Sequence, residues 1–401
     1  MNAALEFRDV DILFSREQGR KNARAIRDAL ARLDAGATRE QISQASGVVV
    51  GVAGASLSVA PGEICVMMGL SGSGKSTLLR AANGLTAITR GHVLIDDKDA
   101  PIDVSRCDTQ RLRHLRRERV AMVFQQFGLL PWRTVADNVG LGLELRGEPA
   151  AERRKIVAEQ LELVGLTSWA DRDVSELSGG MQQRVGLARA FATKADILLM
   201  DEPFSALDPL IRDKLQDELL ALQERVKKTI LFVSHDLDEA LRLGDRISIM
   251  HHGRIVQTGS SQDIVLRPAD DYVAEFVRHM NPLTVLTGQM IMRSCEQMPR
   301  ADGALCLDDA RHYRLELDSE DAPVELRLDG QPHPLRVVGD DAVCAEDERA
   351  VIVAPSTLSL QALIHLRRRT GHPVLLSEGG RVLGVCGETE IIGALSARGS
   401  A

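Results

Sequence analysis

Apolar positions along the first 260 residues or so fall into two registers. Residues 5–14 (LEFRDVDILF) read as a strand, and residues 23–33 then switch to helical spacing, with Ile26, Leu30 and Leu33 on one face. Residues 57–68 join a β-rich segment to a turn at Pro61-Gly62, and the run EICVMMG that follows predicts a buried parallel strand. From there to about residue 260, apolar strands alternate with helical stretches, the pattern of a parallel α/β sheet. A change comes near Asn281-Pro282, where the boundary between domains 1–282 and 283–401 is placed. Residues 301–350 hold 14 acidic against 5 basic side chains, which accounts for the whole acid excess of the chain.

Composition narrows the function. With 401 residues, 44% of them hydrophobic, the chain can bury a large core in two domains. A net charge of −8 argues against bulk electrostatic binding of nucleic acid, and 3% aromatics against a stacking platform for single strands. The six cysteines (Cys65, Cys107, Cys295, Cys306, Cys344, Cys386) stand singly without a CxxC pair, which suggests neither zinc nor a disulfide framework and suits a reducing cytosol. The N-terminus lacks a basic segment followed by an apolar one, so no secretory signal is read there. The most apolar stretch, Val48 to Ala60, falls far short of the ~20 residues that span a bilayer. Any membrane role is expected to run through a docked partner.

The chemistry begins at Gly69-Leu-Ser71-Gly72-Ser73-Gly74-Lys75-Ser76, a fit to G-x-x-x-x-G-K-[ST] between a strand and a helical TLLRAANGL. Glycines there let backbone N–H groups wrap phosphate oxygens at a helix start, with Thr77 next in line. Lys75 is expected on the β- and γ-phosphates and Ser76 on Mg²⁺. Downstream, the apolar strand Ile197-Leu-Leu-Met ends in Asp201-Glu202. One carboxylate is expected to hold Mg²⁺ and the next to polarise the attacking water.

Leu177-Ser178-Gly179-Gly180-Met181-Gln182-Gln183-Arg184 resembles the signature motif of ABC ATPases. The resemblance implies a P-loop fold with a RecA-like core, an antiparallel β-subdomain and a helical subdomain around 140–192. It also implies a head-to-tail homodimer in which Ser178, Gly179 and Gly180 close on ATP held by the other subunit. By the same resemblance Gln125 (in MVFQQ) contacts Mg²⁺ and water, Ser205–Asp208 forms the loop crossing the dimer, and His235 reaches the γ-phosphate. Glu202, His235, Lys75 and Gln125 are the expected catalytic groups; Ser76, Gln125 and Asp201 are the expected metal ligands. Phe14, the last aromatic before the loop, is either the adenine platform or a core residue ending its strand.

The segments AIRDALARLDAGATREQISQASGVVVGVAGASLSVAPGEI, MGLSGSGKSTLLRAANGL, VAMVFQQFGLLPWRTVADNVGLGLELRG and DEPFSALDPLIRDKLQDELLALQ are similar to the choline/glycine betaine/proline uptake group, closest to its choline importers. That likeness implies an ATPase on the cytoplasmic face of the bacterial inner membrane. It would power an integral membrane permease fed by a periplasmic or lipid-anchored solute-binding protein. Phe127, Leu129, Leu130, Pro131 and Trp132 would dock the permease or, alternatively, fill the subunit's own core. In this group the C-terminal region carries CBS modules: 351–395 fits one loosely, around His372-Pro373-Val374 and Gly384-Val385, whereas 283–350 fits poorly. Arg367-Arg368-Arg369 reads as the solvated face of a helix, with a nucleotide or lipid patch as the rival, and His251-His252 as a hairpin turn. Two other readings remain: a non-transport ABC ATPase acting on nucleic acid or ribosomes, and a regulatory module with vestigial hydrolysis.

Overall fold

The computed structural model describes residues 3–17, 19–97, 100–125, 128–193, 195–278, 283, 286–301, 303–339 and 349–396. Two compact units result, Met1–Ile264 and Val265–Ala401. The boundary expected at 282 lies outside the described residues.

The first unit opens with β1 (Leu5–Phe14), helices α1 (Gly19–Asp34) and α2 (Arg39–Ser46), β2 (Val49–Val59), β3 (Ile64–Met68) and α3 (Lys75–Ala82). Next come β4 (Arg90–Ile95), β5 (Ile102–Asp103), α4 (Thr109–His114), β6 (Val120–Val123), α5 (Val135–Arg146), α6 (Ala150–Leu163) and α7 (Gly179–Ala192). It continues through β7 (Ile197–Asp201), α8 (Pro209–Val226), β8 (Thr229–Val233), α9 (Leu237–Leu243), β9 (Arg246–His251) and β10 (Arg254–Gly259). Six strands form one sheet in the order β10-β9-β3-β8-β7-β6; it is parallel except for the β9–β10 hairpin, which turns at His252-Gly253. Every residue of β3, β7 and β8 is buried, as strands covered on both faces require. The expected antiparallel subdomain is the sheet β2-β1-β4-β5. The helical subdomain packs α5, α6 and α7 together and begins at Val135, one turn earlier than expected, because Thr134 accepts the Asp137 N–H at 3.1 Å and caps α5.

In the second unit, Val351–Pro355, Leu360–Thr370, Val374–Glu378, Arg381–Cys386 and Glu388–Ser396 follow as strand, helix, strand, strand and helix, with Gly379 and Gly380 both at positive φ in the turn. The described residues from 300 to 333 do not repeat that pattern. Arg300–Ala301, Ala304–Cys306, Tyr313–Leu317, Pro323–Leu328 and Gln331–His333 make an antiparallel meander. Its Leu305, Leu315 and Leu326 pack on Val351, Val353 and Leu375. Arg367 to Arg369 occupy the last turn of their helix, where cations suit the dipole, and Arg367 pairs with Glu388 at 2.6 Å.

Candidate active site

Strands β3, β7 and β8 all end at one edge of the parallel sheet, and the loops leaving them carry the expected chemistry. After β3 the chain turns through Gly69 (φ 141°), Gly72 (φ 78°) and Gly74 (φ 107°). A Cβ on Gly69 would lie 2.1 Å from the Met250 carbonyl oxygen, so only glycine lets the loop pass that close to β9. Ser71 and Gly72 are exposed on the loop, whereas Ser73 is buried and its Oγ has no hydrogen-bond partner among the described residues. A buried orphan hydroxyl inside a glycine cradle fits an anionic oxygen. Lys75 opens α3 almost wholly buried, and its Nζ donates to the Gly69 and Leu70 carbonyls at 2.7 and 3.1 Å. Burial pushes its ammonium below the ordinary lysine range, opposed by the charges of Glu202 and Asp201.

Asp201 is fully buried at the end of β7, with both oxygens engaged. Ser76 Oγ donates to Oδ1 at 2.6 Å and Arg80 Nη2 donates to Oδ2 at 2.9 Å. The Ser76 hydroxyl beside a carboxylate is an oxygen donor set suited to a hard cation such as Mg²⁺. Glu202 follows with φ 50°, a left-handed backbone rare for a glutamate. Several bonds hold that conformation: its N–H donates to Val233 O at 3.1 Å, and its own carbonyl accepts from Ser205 Oγ at 3.0 Å and Gln183 Nε2 at 3.2 Å. Strain enforced in this way is typical of functional positions. The side chain meets two of the expected partners: Oε2 is 3.2 Å from Gln125 Nε2 and 3.2 Å from His235 Nδ1. Gln125, Glu202 and His235 therefore converge although 110 residues separate the first from the last.

Ser178 caps α7, accepting the Met181 N–H at 3.4 Å; it and Gly179 are exposed and Gly180 is half-buried. Among the described residues no hydrogen bond joins these three to the phosphate loop. Asp208 likewise caps α8 by accepting from Ile211 N at 3.1 Å. Phe14 is 46% exposed, which excludes the core reading, and its ring crosses Gly51: a Cβ there would meet Phe14 Cε2 at 2.8 Å and the Thr77 methyl at 3.4 Å. Trp132 is 74% exposed and Leu129 and Leu130 are half-buried, so this stretch does not fill the core; Phe127 lies outside the described residues.

Four contributors escaped the sequence reading. Arg80 pairs with Asp201 across 121 positions, and nothing local marks it. Buried Gln183 bonds Glu202 O and accepts from Ala206 N at 3.1 Å, tying α7 to the carboxylate strand. Its place in MQQR was the available signal. Gly51 makes room for the Phe14 ring. Arg39, at the start of α2, donates to the Gly72 carbonyl at 3.3 Å.

The chain is similar to known proteins. The family model described as ABC transporter matches residues 52–205. The ATP-binding protein of the glycine betaine/proline betaine transport system of Salmonella typhimurium is 51% identical over 265 residues, covering 66% of this chain and 65% of that protein's length. The ATP-binding protein of the trimethylamine N-oxide transport system of Ruegeria pomeroyi is 50% identical over 251 residues, 63% of this chain and 73% of that protein. A dimeric bacterial ABC transporter cassette of known structure superposes with a TM-score of 0.54 at 30% identity, over 64% of this chain and 98% of that one. By these relationships this chain belongs to the ATP-binding proteins of ABC transporters, and its first unit has their cassette fold.

Proposed function

We propose that this chain hydrolyses Mg-ATP to drive import of a quaternary ammonium compatible solute, choline first and glycine betaine or proline next, through separate membrane subunits. The observation that carries the hydrolytic part is the convergence of Gln125 and His235 on one oxygen of a strained Glu202, directly after a buried Asp201. Glu202 would hold the attacking water and take its proton, with Gln125 and His235 fixing the carboxylate. Lys75, Ser71 to Thr77 and the Gly69 cradle would grip the phosphates, and Phe14 would carry the adenine. Ser76, Asp201 and Gln125 would hold Mg²⁺, which when bound neutralises charge on the phosphates.

Exposed Ser178 at a helix start is free to receive the phosphates of a second copy's site, which supports a homodimer with Asp208 at its seam. Exposed Trp132 and a cavity of about 370 Å³ lined by Leu85, Phe124, Leu141 and Leu145 support docking of a permease fed by a solute-binding protein, on the inner face of the membrane. No described helix is long and apolar enough to cross a membrane. The 351–395 segment would serve as a CBS-like regulatory module.

The test is uptake of labelled choline, glycine betaine, proline and trimethylamine N-oxide in cells lacking the chain, restored by wild type or by Lys75→Ala. Restoration of choline uptake by wild type alone is the expected result. Restoration of none overturns the solute class, and turnover of ATP by Lys75→Ala at the wild-type rate overturns the site.

A further inference from the structure

Between Phe14 and β2 the chain inserts the helices α1 and α2. The two helices are firmly built into the first unit. Ala29 and Leu33 of α1 and Ile42 of α2 are buried with Leu13, Val48, Val50 and Ala53 in a small core of their own. At the C-terminal end of α1, Asp34 receives both terminal guanidinium nitrogens of Arg90, at 2.7 and 2.9 Å. The same Arg90 donates through Nε to buried Asp11 at 2.6 Å. A reciprocal capping box then starts α2: Thr38 Oγ1 accepts the Gln41 N–H at 3.3 Å while Gln41 Oε1 accepts the Thr38 N–H at 2.9 Å. The first residue after that cap is Arg39.

Fixed in this way, Arg39 is half-buried, and its side chain donates a hydrogen bond 33 residues on to the Gly72 carbonyl. The other cation at this loop does the same: Lys75 Nζ rests on the Gly69 and Leu70 carbonyls. A neutral carbonyl is a weak partner for a cation compared with a phosphate oxygen, and a guanidinium has five N–H donors, of which this contact uses one. We propose that Arg39 is a second cationic ligand of the nucleotide phosphates, delivered by the α1–α2 insert, and that it exchanges the Gly72 carbonyl for a phosphate oxygen when nucleotide binds. The assignment rests on the reading of this loop as a nucleotide site and adds a residue from outside the loop to it.

The experiment uses the full chain, as wild type, Arg39→Ala, Arg39→Lys and Lys75→Ala. Dissociation constants are measured for Mg-ADP, a non-hydrolysable Mg-ATP analogue and adenosine, each at 50 and 300 mM salt. Loss of one charge-assisted contact at a half-exposed site predicts about tenfold weaker binding of both phosphorylated ligands by Arg39→Ala. Arg39→Lys should recover part of this, adenosine binding should be unchanged, and Arg39→Ala should show a shallower dependence on salt. Wild-type affinity in Arg39→Ala overturns the assignment while leaving the loop's role intact. An equal loss for adenosine also overturns it, since that marks distortion of the base site and not a missing phosphate contact. Failure of wild type to bind any of the three, with Lys75→Ala indistinguishable from it, overturns the nucleotide reading together with Arg39.

Discussion

Strands β3, β7 and β8 bury every residue, whereas Tyr313–Leu317 and Pro323–Leu328 of the C-terminal meander each bury one. The first group is buried along its whole length, and its chemistry collects where the strands end: the Gly69 turn after β3, Asp201 and Glu202 at β7, Ser234 and His235 after β8. The meander keeps one face wet and spreads its polar groups along its length. There Arg314 stands opposite Arg327, and Glu316 opposite Glu325. Burial of the strands is thus what concentrates the chemistry; a solvated sheet of similar size carries as many charges without converging them.

Breaking the convergence should have the largest effect. Lys75→Ala or Glu202→Gln is expected to slow ATP turnover by about 100-fold or more, since each removes a charged group from the phosphoryl site. Glu202→Gln should still bind ATP, and a steady-state hydrolysis assay with a binding measurement separates the two. Next is Gln183→Ala, which leaves the Glu202 carbonyl and Ala206 N–H with one partner fewer; about 2 kcal/mol of stability should go, read by denaturant unfolding, with turnover falling alongside. Phe14→Ala should weaken ATP about fivefold through the loss of roughly 1 kcal/mol of stacking, and Phe14→Tyr should not.

In the meander the effects are smaller and change sign. Exchanging its charges, with Glu325→Arg and Arg327→Glu together, puts opposite charges across both pairs and should raise stability by roughly 0.5 kcal/mol at low salt. Smallest is a pH effect at His372, whose ring bonds Tyr313 at 2.8 Å and His333 at 3.2 Å. Burial, then His333 and Arg367, holds its pKa below the ordinary 6.5. Below pH 6.5 the unfolded chain therefore takes up a proton that the folded chain refuses, so stability falls as pH drops through that value. Thermal melts from pH 7.5 to 5.5 should show that fall in wild type and a reduced one in His372→Gln.

Much of this was legible beforehand because the chemistry sits in short contiguous loops. Gly69 to Ser76, Asp201-Glu202 and the helix start at Ser178 are each a short stretch of chain whose spacing is itself the signal. The same holds for β3, whose unbroken apolar run predicts burial on both faces, and for the turn at Gly379-Gly380. The meander was missed as such: its strands are two to six residues long, and Tyr313–Leu317 hides one buried leucine among charges. So weak an alternation resembles a charged loop. Phe14 was open to two readings because an aromatic ending a strand has the same local pattern whether its ring faces the core or solvent.

By itself the sequence determined which residues can wrap a phosphate, hold a cation or take a proton, since those capacities belong to residue types at fixed short spacings. Only the tertiary structure decided which of them meet. Arg80 reaches Asp201 across 121 positions, Gln183 props the Glu202 carbonyl, Gly51 yields to the Phe14 ring, and Arg39 arrives on the phosphate loop from a separate helix pair. Each of these is a contact between segments that are distant along the chain. Their positions follow from sheet order and from the packing of helices on it, which no local pattern records.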